Sequence, residues 1–514
     1  MKAPNTRLQT PENLQISISN PPTSPGQLGF GYWNFPGVWS LGFGVFFSAA
    51  ALTLASGIAA NTTSGAGVQN WPRFRGPNGS GVSESRDLPV EFGPMKNLAW
   101  RTAVPAGHSS PVVWENRVFL TGYEESRCIV VCLDQNNGRR LWERSIEATR
   151  VERKSKPNDA ASSTPAADET GIYSLFSGFG LVAFSHDGQE RWRRPLGPFT
   201  PPHGMASSLV LAAGTVVVVA DQVSDSCIAA FESASGKLKW KTPRPNLVGG
   251  YATPVLHGTD ILTGGPMEMV AYAVDTGERR WSLPKMGVMP IASPIRIGDR
   301  IYAYNDAVPP YEQLTVQMKA DRNGDGKISP DEFPDPSFQE AVRAIDRVYG
   351  NGDGAVDQEE WDGALKLMRT MNSFVAVDLD GQQSKERWRT TRMLTDTASP
   401  LLYRGLLYLV KNGGLLATVD PESGQILRQD RITGVEGNFF ASPVAADGKL
   451  FILNESGKLA VLQAGRDWHV LAVNDLAENC YATPAIIDGV IVVRSEGVLW
   501  AFQNKLKTPK TKLQ

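Results

Sequence analysis

Apolar and polar positions along the chain fall into one phrase that recurs eight times. It opens with Ser/Thr-Pro and a few apolar residues, turns into an alternating run, then enters a second run that ends near Asp-x-x-x-Gly and a Trp. A period of two bounded by Gly, Pro and Asp marks short half-buried strands joined by tight turns. Ser110-Pro111 leads to Trp142, Thr164-Pro165 to Trp192, Thr253-Pro254 to Trp281 and Ser293-Pro294 to Trp388. The third unit carries Ser208-Leu209 and closes at Trp240, and the sixth keeps Ser399-Pro400 but has Arg428 where Trp is expected. The seventh runs from Ser442-Pro443 with Trp468, and the eighth begins at Thr483-Pro484 and stops at LWAFQ without a closing strand. Trp100, in NLAWRTAVP ahead of the first unit, is expected to supply that strand.

A four-stranded sheet with two apolar faces cannot stand alone, but stacked radially it buries both faces, and a ring closed by mixed terminal strands has no exposed end. The fold class expected is therefore all-β: an eight-bladed β-propeller of four-stranded blades, closed by an N-terminal strand. The recurring Trp is expected to fill the wedge between blades.

Unit five is interrupted between RIYAYND (300–306) and SFVAVDLD (373–380), and the periodicity between them turns helical. The intervening DRNGDGKISPDE (321–332) has the spacing of a twelve-residue EF-hand loop. Asp321, Asn323, Asp325, the Lys327 carbonyl, Ser329 and Glu332 stand at ligand positions, with Gly326 at the sharp turn. Calcium takes six to eight hard oxygens, and this spacing wraps them around one point. A second loop, 349–360, keeps Asn351, Asp353, Asp357 and Glu360 but starts with Tyr349. It is expected to be a weaker or empty site, or a structural partner, and Asp346 is not expected to substitute for the missing carboxylate without a distorted loop. The domain division that follows is a leader and linker at 1–69, propeller at 70–307 and 372–503, the EF-hand insertion at 308–371, and a basic tail at 504–514. Strand alternation would put the insertion on the face that carries the connections between blades, beside its central opening.

Between Asp321 and Asp362 there are twelve acidic and four basic residues, while the whole chain has a net charge of only -2. With no global basic field, nucleic acid is not an expected partner. Residues 38–60 carry no charge and are followed by a polar run, which reads as a cleaved signal peptide or a membrane anchor. The remainder is then expected outside the cytoplasm, periplasmic or in the cell envelope. Cys128, Cys132, Cys227 and Cys480 lack metal or redox spacing and are read as buried thiols. The histidines, His108, His186, His203, His257 and His469, are scattered, and His203 in PHGM is singled out for attention.

The Asp-x-x-x-Gly-x-x-x-Trp phrase resembles the tryptophan-docking repeat of quinoprotein dehydrogenases and of the outer-membrane assembly lipoprotein propeller. The segments NWPRFRGPNGSGVS (70–83), PPHGMASS (201–208), SPLLYRGLLYLVKNGG (399–414) and LAVNDLAENCYATPAI (471–486) resemble a large bacterial family of pyrroloquinoline-quinone-like (PQQ-like) repeat proteins. For a working dehydrogenase that resemblance implies adjacent cysteines over the quinone and an acidic base beside a quinone-bound calcium. No Cys-Cys pair exists, so no catalytic residue is assigned and PQQ is not an expected cofactor. The function expected is an exported calcium-binding propeller acting as a binding or scaffold module, with calcium ordering the insertion. A protein, glycan or small molecule is expected on the propeller face. A divergent quinone-dependent oxidoreductase and an envelope-assembly scaffold are the alternatives.

Overall fold

The structure, a computed structural model, describes residues 70–504 apart from 153, 202, 223–224, 245–248, 266, 288, 306–319, 334–338, 340–341, 344, 348–349, 372 and 381–382. The apolar stretch at 38–60 and the tail lysines from Lys505 onward lie outside the described residues.

Among the described residues the repeats form eight four-stranded antiparallel sheets. They occupy 112–147, 166–195, 210–243, 255–284, 295–390, 401–431, 444–475 and 485–503. The last has three strands of its own and takes its fourth from Leu98–Ala103, which runs antiparallel to Val498–Gln503 and pairs Trp100 with Ala501. The expected closure by an N-terminal strand is what the chain does. The core is divided among the spaces between blades. Tyr173, Leu175 and Leu181 of blade two pack with Val216 and Val218 of blade three. Tyr302 and Phe374 of blade five pack with Leu407 and Leu409 of blade six. Each blade thus buries both faces only because it has two neighbours.

The Trp phrase has a geometric cause. Trp100 Nε1 donates to Gln135 O at 2.8 Å, Trp142 to His186 O at 2.8 Å, Trp192 to Ser233 O at 2.8 Å, Trp240 to Val274 O at 2.9 Å and Trp388 to Pro421 O at 2.9 Å. Every acceptor sits in the outer turn of the next blade, so each indole is a hydrogen-bonded clasp as well as a wedge filler. The Gly of that turn lies beneath the ring: at Gly277, with φ +71, an added Cβ would fall 2.3 Å from Trp240 Cε3. Asp-x-x-x-Gly and Trp are therefore two halves of one joint, from adjacent blades.

The joint between blades six and seven departs from this. Arg428 replaces the indole, donates to Trp468 O at 2.6 Å and lies 4.2 Å from the centre of the Trp468 ring. Trp468 is thus the receiving turn residue, and Ala472, paired with Val461, holds the place occupied by Trp in other blades. The reading of Trp468 as the end of the seventh unit is corrected accordingly.

In blade five Arg300–Asn305 and Ser373–Asp380 pair directly, Asn305 opposite Ser373, although 67 residues (306–372) separate them in the sequence. The chain leaves from the second strand and returns at the third. Within this excursion, Lys327–Ile328 pairs antiparallel with Val356–Asp357, placing Ile328 opposite Val356, both fully buried. The helix Gln358–Met371 follows the second loop.

Candidate functional site

The Ser/Thr that opens each unit has a single structural role. Ser110 N donates to Thr164 Oγ1, Thr164 N to Ser208 Oγ and Ser208 N to Thr253 Oγ1, each at 3.0 Å. Thr253 N continues to Ser293 Oγ at 2.8 Å, Ser293 N to Ser399 Oγ and Ser399 N to Ser442 Oγ at 3.0 Å. Ser442 N reaches Thr483 Oγ1 at 2.9 Å, and Thr483 N returns to Ser110 Oγ at 3.0 Å. Eight blades are tied by one closed circle of N–H···O bonds around the propeller axis. Blade three loses the Pro of the dipeptide at Leu209 and keeps the hydroxyl, as this role requires.

All eight hydroxyl residues line a central cup of about 130 Å³. Its wall consists of the residue two places before each of them: His108, Ser162, Ala206, Tyr251, Ile291, Thr397, Phe440 and Tyr481, joined by Pro157 and Asn158. Phe74 also lines the cup. On three consecutive blades the wall is aromatic. Phe440 lies 5.7 Å from Tyr481, and His108 stacks on Tyr481 at 4.1 Å and 26°.

His108 Nδ1 contacts Pro157 O at 2.5 Å, which requires a proton on that nitrogen, and Asp159 Oδ2 stands 3.5 Å away. Burial lowers the His108 pKa below its ordinary value, with Asp159 and the Pro157 carbonyl opposing the shift. Tyr481 donates to Glu455 Oε1 at 3.1 Å, and burial together with that carboxylate pushes its pKa up to about 12. His203, singled out in the sequence, is not in the wall. Its Nδ1 meets Ser155 Oγ at 2.7 Å, and its backbone N–H donates to the Tyr251 hydroxyl at 3.2 Å.

Residues 70–85 close the axis from the opposite side. Trp71 bridges Val113 of blade one, Ala167 N of blade two donates to Pro72 O, Asn78 exchanges two hydrogen bonds with Leu256 of blade four, and Val82 bridges Ala445 of blade seven. Arg73 donates to Pro254 O and Arg75 to Pro400 O at 2.7 Å, the carbonyls that follow ring residues Thr253 and Ser399. Phe74 stands between these two anchors.

The cup does not fit pyrroloquinoline quinone. Its volume suits a handful of waters at about 30 Å³ each, not a fused three-ring tricarboxylate, and Phe74 takes up part of the axis. No Asp, Glu or Cys lines it. Cys480, next to Tyr481, is buried with its thiol pushed up to about 12 by burial, far from a reactive thiolate.

The two inserted loops share one internal design. In the first, Asp321 Oδ1 accepts Gly324 N at 2.7 Å and Oδ2 accepts Gly326 N at 3.1 Å. Asn323 Oδ1 accepts Asp325 N, and Asp325 Oδ1 accepts Lys327 N, both at 2.8 Å. Glu332 accepts from Arg322 N, Asn323 N and Ser329 N at 2.9, 3.1 and 2.6 Å, and Ser329 Oγ donates to the same carboxylate at 3.0 Å. Burial alone would raise the Glu332 pKa, but those hydrogen bonds hold it below the usual carboxylate range.

In the second loop Asn351 Oδ1 accepts Asp353 N at 2.8 Å, and Glu360 accepts Asn351 N at 2.8 Å and Asp357 N at 3.1 Å. Where the first loop uses Asp321, the second uses Asp346, which accepts Gly352 N at 2.9 Å and Gly354 N at 3.0 Å. Asp346 takes this place only because the loop departs from the regular twelve-residue spacing, the distortion its use was expected to require. The extra residues are absorbed by a turn in which Gly350 N bonds to the carbonyls of Ile345 and Asp346. Lys327 also pairs with Asp353 across the two loops. Among the described residues no three Asp, Glu, His or Cys side chains converge on one point, because these carboxylates are turned onto loop N–H groups.

In the sequence the Ser/Thr-Pro dipeptides mark where each repeat begins rather than what surrounds the axis. The signal was present at the eight positions two residues upstream. Cup and loops are separate sites, and no hydrogen bond or ion pair described links them.

A family profile described as outer membrane protein assembly factor BamB matches residues 95–201, 129–306 and 362–508, and an EF-hand profile matches residues 318–333. The outer membrane protein assembly factor BamB of Yersinia pestis is 22% identical over 389 residues, 71% of this chain and 88% of that protein. BamB of Moraxella catarrhalis superposes with a TM-score of 0.51 at 12% identity, covering 79% of this chain and 99% of the other. A europium-containing methanol dehydrogenase superposes with a TM-score of 0.54 at 11% identity, covering 85% and 98%. The profile spans well over half of the chain, and the protein belongs to the family of outer membrane protein assembly factor BamB.

Proposed function

We propose that this protein is an exported, calcium-binding propeller that serves as a binding or scaffold module for a protein partner in the cell envelope. The observation that carries this reading is the pair of matched acidic loops, joined by a short strand pair, in the chain between the second and third strands of blade five. A propeller is a rigid platform, and an acidic loop pair whose order depends on an ion is a conditional element mounted on it. The first loop offers Asp321, Asn323, Asp325, the Lys327 carbonyl, Ser329 and Glu332 to calcium, and binding exchanges the N–H partners of Glu332 for the ion. The relatives named as assembly factors support a protein as the partner. Among the described residues no helix is long and apolar enough to cross a membrane, and residues 38–60 are the candidate leader or anchor.

Calorimetric titration of the metal-stripped chain tests the metal half of this proposal. Saturable calcium uptake is expected, weakened at least tenfold in Glu332→Gln. Equal uptake by the variant would overturn the assignment. A quinone-dependent reading gains no support from the cup, which is too small.

A further inference from the structure

The circle of hydroxyls leaves a set of donors unaccounted for. Each ring Oγ accepts one backbone N–H, and none donates to a protein acceptor among the described residues. A hydroxyl that accepts still carries a proton of its own to give. The ring residues are between 2% and 6% exposed, and all of them face the cup. Eight buried O–H donors therefore converge on the axis. A buried donor left unmet is destabilising.

Charges of both signs surround the ring: Asp159 stands 3.5 Å from His108 and Glu455 accepts from Tyr481 on the wall, while three buried guanidiniums lie against the backbone beside the ring. Arg73 and Arg75 are held on carbonyls adjoining the ring, and Arg494 donates to Ser109 O at 3.0 Å, next to ring residue Ser110. All three are buried, and Arg73 Nε, Arg75 Nε and Nη1 and Arg494 Nε have no hydrogen-bond partner. Burial pulls their pKa values down to about 10, 9 and 10, with Arg73 adding to the shift of Arg75. Asp159 opposes the charge of Arg494, which in turn acts on His108, and among the described residues Arg73 and Arg75 form no ion pair with a carboxylate. Contrast Arg244, equally buried, which holds Asp221 through two hydrogen bonds of 2.5 and 2.9 Å. Uncompensated buried charge is expensive.

We infer that the axial cup is a site for a small inorganic anion, of the halide or phosphate class, held by the ring hydroxyls and balanced by the buried guanidiniums of Arg73, Arg75 and Arg494. The cup has room for such an ion with a few waters, and its donor-rich ring selects an acceptor-only ligand over a cation. This site is independent of the calcium loops and does not rest on their reading.

The test is calorimetric titration of the full chain with sodium chloride and, separately, sodium phosphate, with ionic strength held constant by sodium gluconate. One saturable site per chain for either anion is expected, weakened at least tenfold in Ser399→Ala combined with Ser442→Ala. No saturable binding of either anion, or equal affinity in the folded double variant, would overturn the inference. If the double variant does not fold, bromide-soaked crystals of the unaltered protein decide: an anomalous peak on the axis within the cup supports the site, and its absence excludes it.

Discussion

Asp346 reaches Gly352 across a five-residue gap and accepts its backbone N–H at 2.9 Å, reproducing the bond that Asp321 makes to Gly324 at 2.7 Å. An acidic residue three places upstream of Tyr349 thus completes a loop whose first position lacks a carboxylate. The expected outcome is two calcium ions per chain, with Asp346→Asn reducing the calorimetric stoichiometry to one. Identical stoichiometry in the variant would show that this carboxylate only orders the loop.

The joint between Trp240 and Gly277 is closed to any side chain. Gly277→Ala meets both the positive φ of that turn and the indole at 2.3 Å, and is expected to cost about 2 kcal/mol or more. Urea denaturation measures it. Gly214→Ala, where φ is +71 and the added Cβ meets nothing within 4 Å, separates the backbone part from the clash.

Asp221 and Arg244 are almost fully inaccessible, and Arg244 also donates to Tyr272 and Gly264. Removing the carboxylate leaves a buried cation with only neutral acceptors. Asp221→Ala is expected to cost about 3–5 kcal/mol, read as a lower urea midpoint. A loss below 1 kcal/mol would mean that water replaces the carboxylate.

His108 gives the cup a pH dependence whose sign follows from its lowered pKa. The unfolded chain takes up a proton near the ordinary value of 6.5, while the folded imidazole resists it. Its contribution to stability is complete above pH 6.5 and falls as the pH drops from there toward the folded pKa. Denaturation midpoints of the wild type and His108→Gln, compared from pH 8 to pH 5, should converge toward the acid end. Parallel curves would remove His108 as the cause.

Much of the fold was legible because its repeat is enforced by pairwise joints. Ser/Thr-Pro, Gly and Trp recur at fixed offsets since each blade presents the same surfaces to its neighbours, and the missing eighth closing strand pointed to Trp100. What the residues did not disclose was direction: a Trp looks the same whether it clasps the next blade or receives a clasp. Hence Trp468 was misassigned, its partner being an Arg from blade six. The cup stayed hidden for a related reason. Its wall draws one residue from each of eight distant segments, such as His108 and Tyr481, whose stacking has no sequence signature. Asp346 escaped because loop spacing assumes a fixed number of residues, and the turn at Gly350 changes that number.

Closure of blade eight also sets a timetable. Leu98–Ala103 is among the first strands to leave the ribosome or a translocation channel, yet its partner Val498–Gln503 is among the last. Until then the ring is an open arc whose two ends carry unpaired strand edges, able to pair with another chain. The hydroxyl circle is broken at the same place, since Thr483 cannot reach Ser110 before the arc shuts. A chain cut short before Val498 would lose the seam as a whole, so truncation that removes Val498–Gln503 should act as an all-or-none defect and not as a graded one.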